Sequence, residues 1–148
     1  MRKVVVTGLG LLTTLGNDKN STWSNLIEGK SGISKINHFD TSDLTCKIAG
    51  YLSNDPDSKN FFNNSSYIDS KDIKRNDRFI QYGLVAAKMA IEDAGLDNIS
   101  DELKLKTGVS VGSGIGGLET IYEGSLTINS KESKKLSPFF IPSSLVNL

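Results

Sequence analysis

Four of the six residues from 112 to 117 are glycine, and they follow directly on the β-branched Val109 and Val111. No other stretch limits the possible folds as tightly. The valines read as a short buried strand. The glycines then remove both strand and helix propensity, and they permit positive φ and close backbone approach. Ile115 is the only large apolar side chain within the turn. Two readings stand. One is the wall of a pocket with Ile115 displayed on it. The other is a tight strand-to-helix connection that needs glycine for steric reasons alone.

The chain has 148 residues, enough for one domain with its own core, and it shows no repeat, low-complexity tract or internal boundary. Lysine and arginine balance aspartate and glutamate at 17 each. There is thus no global electrostatic case for nucleic acid or for an anionic membrane. No run approaches the ~20 apolar residues of a membrane span. The basic start, Met1 to Lys3, leads into an apolar run too short for a signal peptide, so a cytoplasmic protein is expected. The single cysteine, Cys46, excludes an internal disulfide and suits a reducing compartment. No base stands near it in sequence, so it reads as buried or incidental rather than as a nucleophile. His38, the only histidine, has no second ligand type at close spacing, so no metal or cofactor site is expected.

In chain order, residues 3–7 read as a first strand, followed by Gly8-Leu9-Gly10. This opening resembles a dinucleotide-binding turn, but Thr13 stands where a third glycine belongs and no helix opens at once. Residues 21–28 read as a short helix with Asn20 or Ser21 as N-cap, Gly29 as stop, and Trp23, Leu26 and Ile27 on one face. Residues 48–52 read as a second strand, and 53–66 as a polar loop. Residues 70–78 form a basic cluster with interspersed acids: either a solvated helix entry or a docking patch for an acidic partner. The spacing of Ile80, Leu84, Ala87 and Ile91 predicts a helix over 79–94. It is apolar around so much of its circumference that burial between layers is expected. Residues 118–124 read as a helical turn and 130–135 as a lysine-rich loop. Pro138 and Pro142 pin Phe139, Phe140 and Ile141. The residues from Leu145 to the end read as a new apolar helix cut short, as expected of part of a larger unit. Strands alternating with helices indicate an α/β layered sheet.

Several stretches, in order, resemble the N-terminal part of the β-ketoacyl-acyl carrier protein synthases, most closely the synthase II branch. They are Arg-Lys-Val-Val-Val-Thr-Gly-Leu-Gly at 2–10, Ser-Gly-Ile at 31–33, His-Phe-Asp-Thr-Ser at 38–42, Phe-Ile-Gln-Tyr-Gly at 79–83, Gly-Ser-Gly-Ile-Gly-Gly-Leu at 112–118 and Ser-Pro-Phe-Phe-Ile-Pro-Ser at 137–143. The ordered set outweighs the dinucleotide-binding reading. The resemblance implies a thiolase-like fold of layered αβαβα order, of which residues 1–148 are an incomplete N-terminal portion. It implies fatty acid biosynthesis by decarboxylative Claisen condensation. An acyl group rides on an active-site cysteine, and malonyl-acyl carrier protein extends it by two carbons. Such chemistry needs a thiolate, histidines beside the developing enolate, and an oxyanion hole.

The family's cysteine, histidines and lysine fall beyond residue 148, and Cys46 and His38 do not occupy their positions. No catalytic residue is assigned, and the chain alone is expected to be inactive. What the resemblance does place here is binding machinery. Lys71, Lys74 and Arg75 correspond to the patch that docks the acidic acyl carrier protein. Ile115 corresponds to a lining residue of the acyl pocket. Phe140 and Ile141 correspond to residues that reach across a homodimer interface into the partner's acyl pocket. Three functions follow as alternatives: part of a condensing enzyme that a separate chain could complete, a non-catalytic carrier-binding or dimerising module, or a nucleotide-binding module resting on Gly8 and Gly10.

Overall fold

In the computed structural model, which describes residues 2–53, 55–58, 61–131 and 133–146, helix dominates. The order is α1 (Lys19–Ile27), β1 (Ser34–Lys35), β2 (Ile48–Ala49), α2 (Ser70–Arg75), α3 (Arg78–Asp93), α4 (Asp101–Leu105), α5 (Leu118–Asn129) and α6 (Phe140–Ser144). Single 3-10 turns stand at Asn64–Ser66 and Ser133–Lys135.

Helix α3 is the element against which the N-terminal segment packs. Its residues are rich in helix formers, and both ends carry the expected signals. The Asp77 side chain accepts from the Phe79 N–H at the start. At the other end Gly95 takes φ +67°, and the Leu96 N–H closes back onto the Ile91 carbonyl at 3.0 Å. The small residues Ala86, Ala90 and Ala94 form a shallow stripe on which Gly8 and Gly10 lie. A Cβ on Gly10 would sit 2.7 Å from the Ala90 nitrogen and collide with the Ala86 carbonyl; one on Gly8 would lie 2.7 Å from the Ala94 Cβ. This pair of glycines therefore serves close packing onto a helix. The Leu9 N–H between them donates to Asp93 Oδ2 at 3.0 Å, and the Lys19 ammonium pairs with the other oxygen of the same carboxylate. Asp93 thus joins the opening segment, α1 and α3. These two partners, Lys19 foremost, hold its carboxyl below the usual carboxylate range.

Helix α1 begins two residues earlier than expected. Its cap is Asp18, whose carboxylate accepts from the Asn20 and Ser21 N–H groups at 2.8 and 2.9 Å, rather than Asn20 or Ser21. An ionised carboxylate satisfies two orphan donors and suits the positive helix end, and this is why it wins over serine. The expected apolar face of α1 is uncovered: Trp23, Leu26 and Ile27 are all exposed.

The expected strands need correction. Among the described residues the only ladder is β1 with β2, antiparallel, pairing Ser34 with Ala49 and Lys35 with Ile48. The second strand thus shrinks to Ile48–Ala49. Residues 3–7 and 109–111 belong to no ladder, and Val4 and Val109 are 95% and 89% exposed. A β-branched run becomes a strand only when neighbours take up its N–H and C=O groups, and propensity alone does not supply them. The burial expected for α3 is likewise partial. Val85 is fully buried, but Leu84 and Ile91 remain exposed. Among the described residues the buried apolar side chains are Val85, Phe62 and Ile36.

Four smaller differences have local causes. Helix α4 was not foreseen, although Ser100 caps it by accepting from the Leu103 N–H at 3.3 Å. Helix α5 runs on to Asn129, because nothing from 118 to 129 breaks it apart from Gly124. The loop at 53–66 contains a bridge between Ser53 and Phe61, and the 3-10 turn at Asn64–Ser66. The helix expected after Leu145 is not formed at Leu145 itself, which is extended; Asn147 and Leu148 lie outside the described residues.

Candidate functional site

Helix α2 is short, and Asn76, extended beyond its last residue, ends it. Lys74 and Arg75 fall in its last turn, where a cation suits the negative end of the helix. Lys71, Lys74 and Arg75 are all exposed. Two residues further on, Asp77 starts α3 and also reaches across to α5. Its Oδ2 accepts from the Thr120 N–H at 3.0 Å and from the Thr120 hydroxyl at 2.6 Å. One carboxylate therefore serves the first turns of two helices separated by about forty residues of chain.

The glycine turn joins this junction from the other side. The Gly117 N–H donates to the Ser144 carbonyl at 3.0 Å. Gly116 has φ +86°, and a Cβ there would come within 2.8 Å of the same carbonyl oxygen. Of the four glycines in the turn, Gly116 alone adopts positive φ. A Cβ on Gly117 would lie 2.8 Å from the Ser144 Cα, whereas Gly112 and Gly114 face open space. The Phe140 ring packs against Gly124, where a Cβ would be 2.9 Å from Cδ2. The Arg75 guanidinium stands over the Phe139 ring, 4.9 Å from its centroid.

The product is a groove of about 280 Å³. Lys74, Arg75 and Asp77 line it together with Thr120 and Glu123 of α5 and with Phe140. The groove thus gathers two residues of the expected docking patch with one residue of the expected acyl pocket. It does not gather the rest. Lys71 of α2, Ile115 and Ile141 do not line the groove, and the two isoleucines are 77% and 56% exposed. Ile115 is exposed, and the close contacts of Gly116 and Gly117 fit the steric reading of the turn. Of the three residues between the prolines, Phe140 is half-buried, whereas Phe139 and Ile141 are exposed.

Asp77 and Thr120 carried no functional expectation. Aspartate just before a helical run is a cap signal, so half of the role of Asp77 was legible. Its tie to Thr120 is a long-range contact that no local pattern announces.

The other candidates are peripheral. His38 is exposed and packs edge-on to Phe39, at 4.9 Å, and against Tyr51, at 4.6 Å. Cys46 is exposed, and its thiol donates to the Ile48 carbonyl at 3.3 Å. Among the described residues no three His, Cys, Asp or Glu side chains are grouped to hold a metal. No helix there is long and apolar enough to cross a membrane.

The family model described as the beta-ketoacyl synthase N-terminal domain matches residues 1–147. The chain is 43% identical to 3-oxoacyl-[acyl-carrier-protein] synthase 2 of Vibrio cholerae over 99% of its own length and 34% of that protein. It is 40% identical to the synthase 2 of Rhizobium meliloti over its full length and 35% of that protein. It therefore spans about a third of the curated relatives it matches. Two solved structures share its fold: the ishigamide ketosynthase/chain length factor, with TM-score 0.72 and 22% identity, and the ketosynthase of AntDE:AntF, with TM-score 0.67 and 21% identity. Each covers 95% of this chain, which in turn covers 33% and 34% of them. The latter is a type II polyketide synthase acyl-carrier protein in complex with its ketosynthase. The matching motifs, the family model and the shared fold agree, and this chain belongs to the β-ketoacyl synthase family, to whose N-terminal domain residues 1–147 correspond.

Proposed function

We propose that residues 1–148 are the N-terminal portion of a condensing unit of the 3-oxoacyl-acyl carrier protein synthase 2 type, in cytoplasmic fatty acid biosynthesis. In this reading the chain contributes carrier docking and acyl-pocket elements, and the thiolate and histidines come from elsewhere. The observation that carries it is the groove, where the Lys74 and Arg75 cations stand beside the apolar Phe140 ring. A partner that is acidic outside and delivers a hydrocarbon chain needs that combination. Each methylene buried in the acyl pocket would contribute ~0.8 kcal/mol. The only thiol in the chain faces a backbone carbonyl rather than a base, so the chain alone is proposed not to condense.

A second reading, a non-catalytic carrier-binding or dimerising module, draws on the exposure of Ile115 and Ile141. Uncovered isoleucines suit contact with a second copy. The two readings separate in one experiment. The chain is titrated with acyl carrier protein at low and high salt, then mixed with the remaining two thirds of the Vibrio cholerae relative and assayed for malonyl-carrier-dependent release of carbon dioxide. Salt-sensitive binding that weakens in Lys74→Ala/Arg75→Ala supports docking. Activity only in the mixture supports the condensing unit, binding without activity in the mixture supports the carrier-binding module, and absence of both binding and activity overturns the condensing unit and the carrier-binding module.

A further inference from the structure

Asp77 joins two walls of the groove that are far apart in the chain. Lys74 and Arg75 come from the end of α2, whereas Thr120 and Glu123 come from the first half of α5. The Asp77 carboxylate links the two sides directly, bonded to the N–H and the hydroxyl of Thr120. On its own side the same carboxylate caps α3 through the Phe79 N–H at 3.3 Å, so its orientation is fixed from both ends. Gly117 makes room for it, since a Cβ there would lie 3.0 Å from Asp77 Oδ2. Asp77 is only two residues from Arg75, so a change in its position moves the end of α2 directly.

We propose that Asp77 is a positioning residue for carrier docking: its bonds to Thr120 set the separation of α2 and α5, and thereby aim Lys74 and Arg75 at an acidic partner. This inference rests on the docking reading above. An exposed lysine or arginine is ordinarily free to sample many rotamers, and its contribution to binding depends on how little freedom remains to be lost. Fixing the helix end that carries both cations reduces that loss. Asp77 itself need not touch the partner.

The test uses the full chain and purified acyl carrier protein, at a temperature where circular dichroism shows each variant folded. Asp77→Asn keeps one oxygen for the Phe79 cap but turns an amide donor toward the donors of Thr120. Thr120→Val removes the hydroxyl and keeps the shape, and it serves where Asp77→Asn does not fold. Thr120→Ser keeps both donors. The expected result is carrier binding weakened about tenfold in Asp77→Asn and less in Thr120→Val, with Thr120→Ser binding as wild type. The slope of affinity against salt should persist, because both cations remain. Faster hydrogen exchange at the Thr120 amide should accompany the loss. If folded Asp77→Asn and Thr120→Val bind as wild type while Lys74→Ala/Arg75→Ala does not, the positioning role is overturned and docking stands. If wild type shows no salt-dependent binding, the docking reading falls and the inference falls with it.

Discussion

At the scale of single residues, glycines that look alike in sequence have different physical work. Gly10 has no room for a methyl group against α3, and Gly116 is held at positive φ beneath the Ser144 carbonyl. Gly114 meets nothing. Gly10→Ala should therefore cost about 1–3 kcal/mol through overpacking, and Gly116→Ala about as much through backbone strain. Gly114→Ala should change stability by less than ~1 kcal/mol in either direction. Urea midpoints of the three variants check the ranking. Since Gly8 and Gly10 are already filled by α3, dinucleotides should give no thermal shift. Asp93 offers a second residue-scale test. Its carboxyl lies below the usual range because Lys19 and the Leu9 N–H favour the charged form. A lowered folded value means stability that is present above the unfolded pKa of about 3.9 and lost as pH falls through the folded one. Wild type should thus exceed Asp93→Asn in urea midpoint near neutral pH, and the gap should close as pH falls below about 4. A gap independent of pH would refute the assignment.

At the scale of elements, helices were more legible than strands because their signals are local. The cap, the apolar spacing and the stopping glycine of α3 all lie within its own segment, and each is found in place. Asp18→Ala should destabilise α1 by about 1 kcal/mol, as expected when a carboxylate cap is lost, measurable by helicity at 222 nm and by melting. Val85→Ala in α3 should cost about 2 kcal/mol, since its side chain is 1% exposed. Leu84→Ala, removing a larger but exposed side chain, should cost less. Equal losses would show that α3 is covered on both faces in solution. Strand identity depends on hydrogen-bond partners, so the valines at 4–6 and 109–111 carry the right propensity without forming a ladder. α4 was missed for a different reason: a five-residue helix presents too little periodicity to detect.

At the scale of the whole molecule, the chain is far more open than its size requires. It exposes 11298 Å², whereas a compact monomer of 16.0 kDa exposes about 7,400 Å². Much of the excess is apolar, including Val4, Val5, Val6, Trp23, Ile27 and Val109. A surface of this kind binds hydrophobic dyes and favours association. The isolated chain should bind anilinonaphthalene sulfonate strongly, and the remaining two thirds of a synthase 2 relative should suppress that signal on mixing. Undiminished dye binding in the mixture would show that the exposed valines are not covered by that partner. By itself the sequence determined the family, helix α3 with both of its ends, and the basic patch at Lys71, Lys74 and Arg75. These rest on residue order and on interactions within a few positions. Tertiary structure alone decided that Gly8 and Gly10 are packing residues, that Lys74, Arg75 and Phe140 share a groove while Ile115 and Ile141 do not, and that Asp77 ties α3 to α5. The reason is that each of these depends on which surfaces meet across forty or more residues of chain, and no local propensity encodes that meeting.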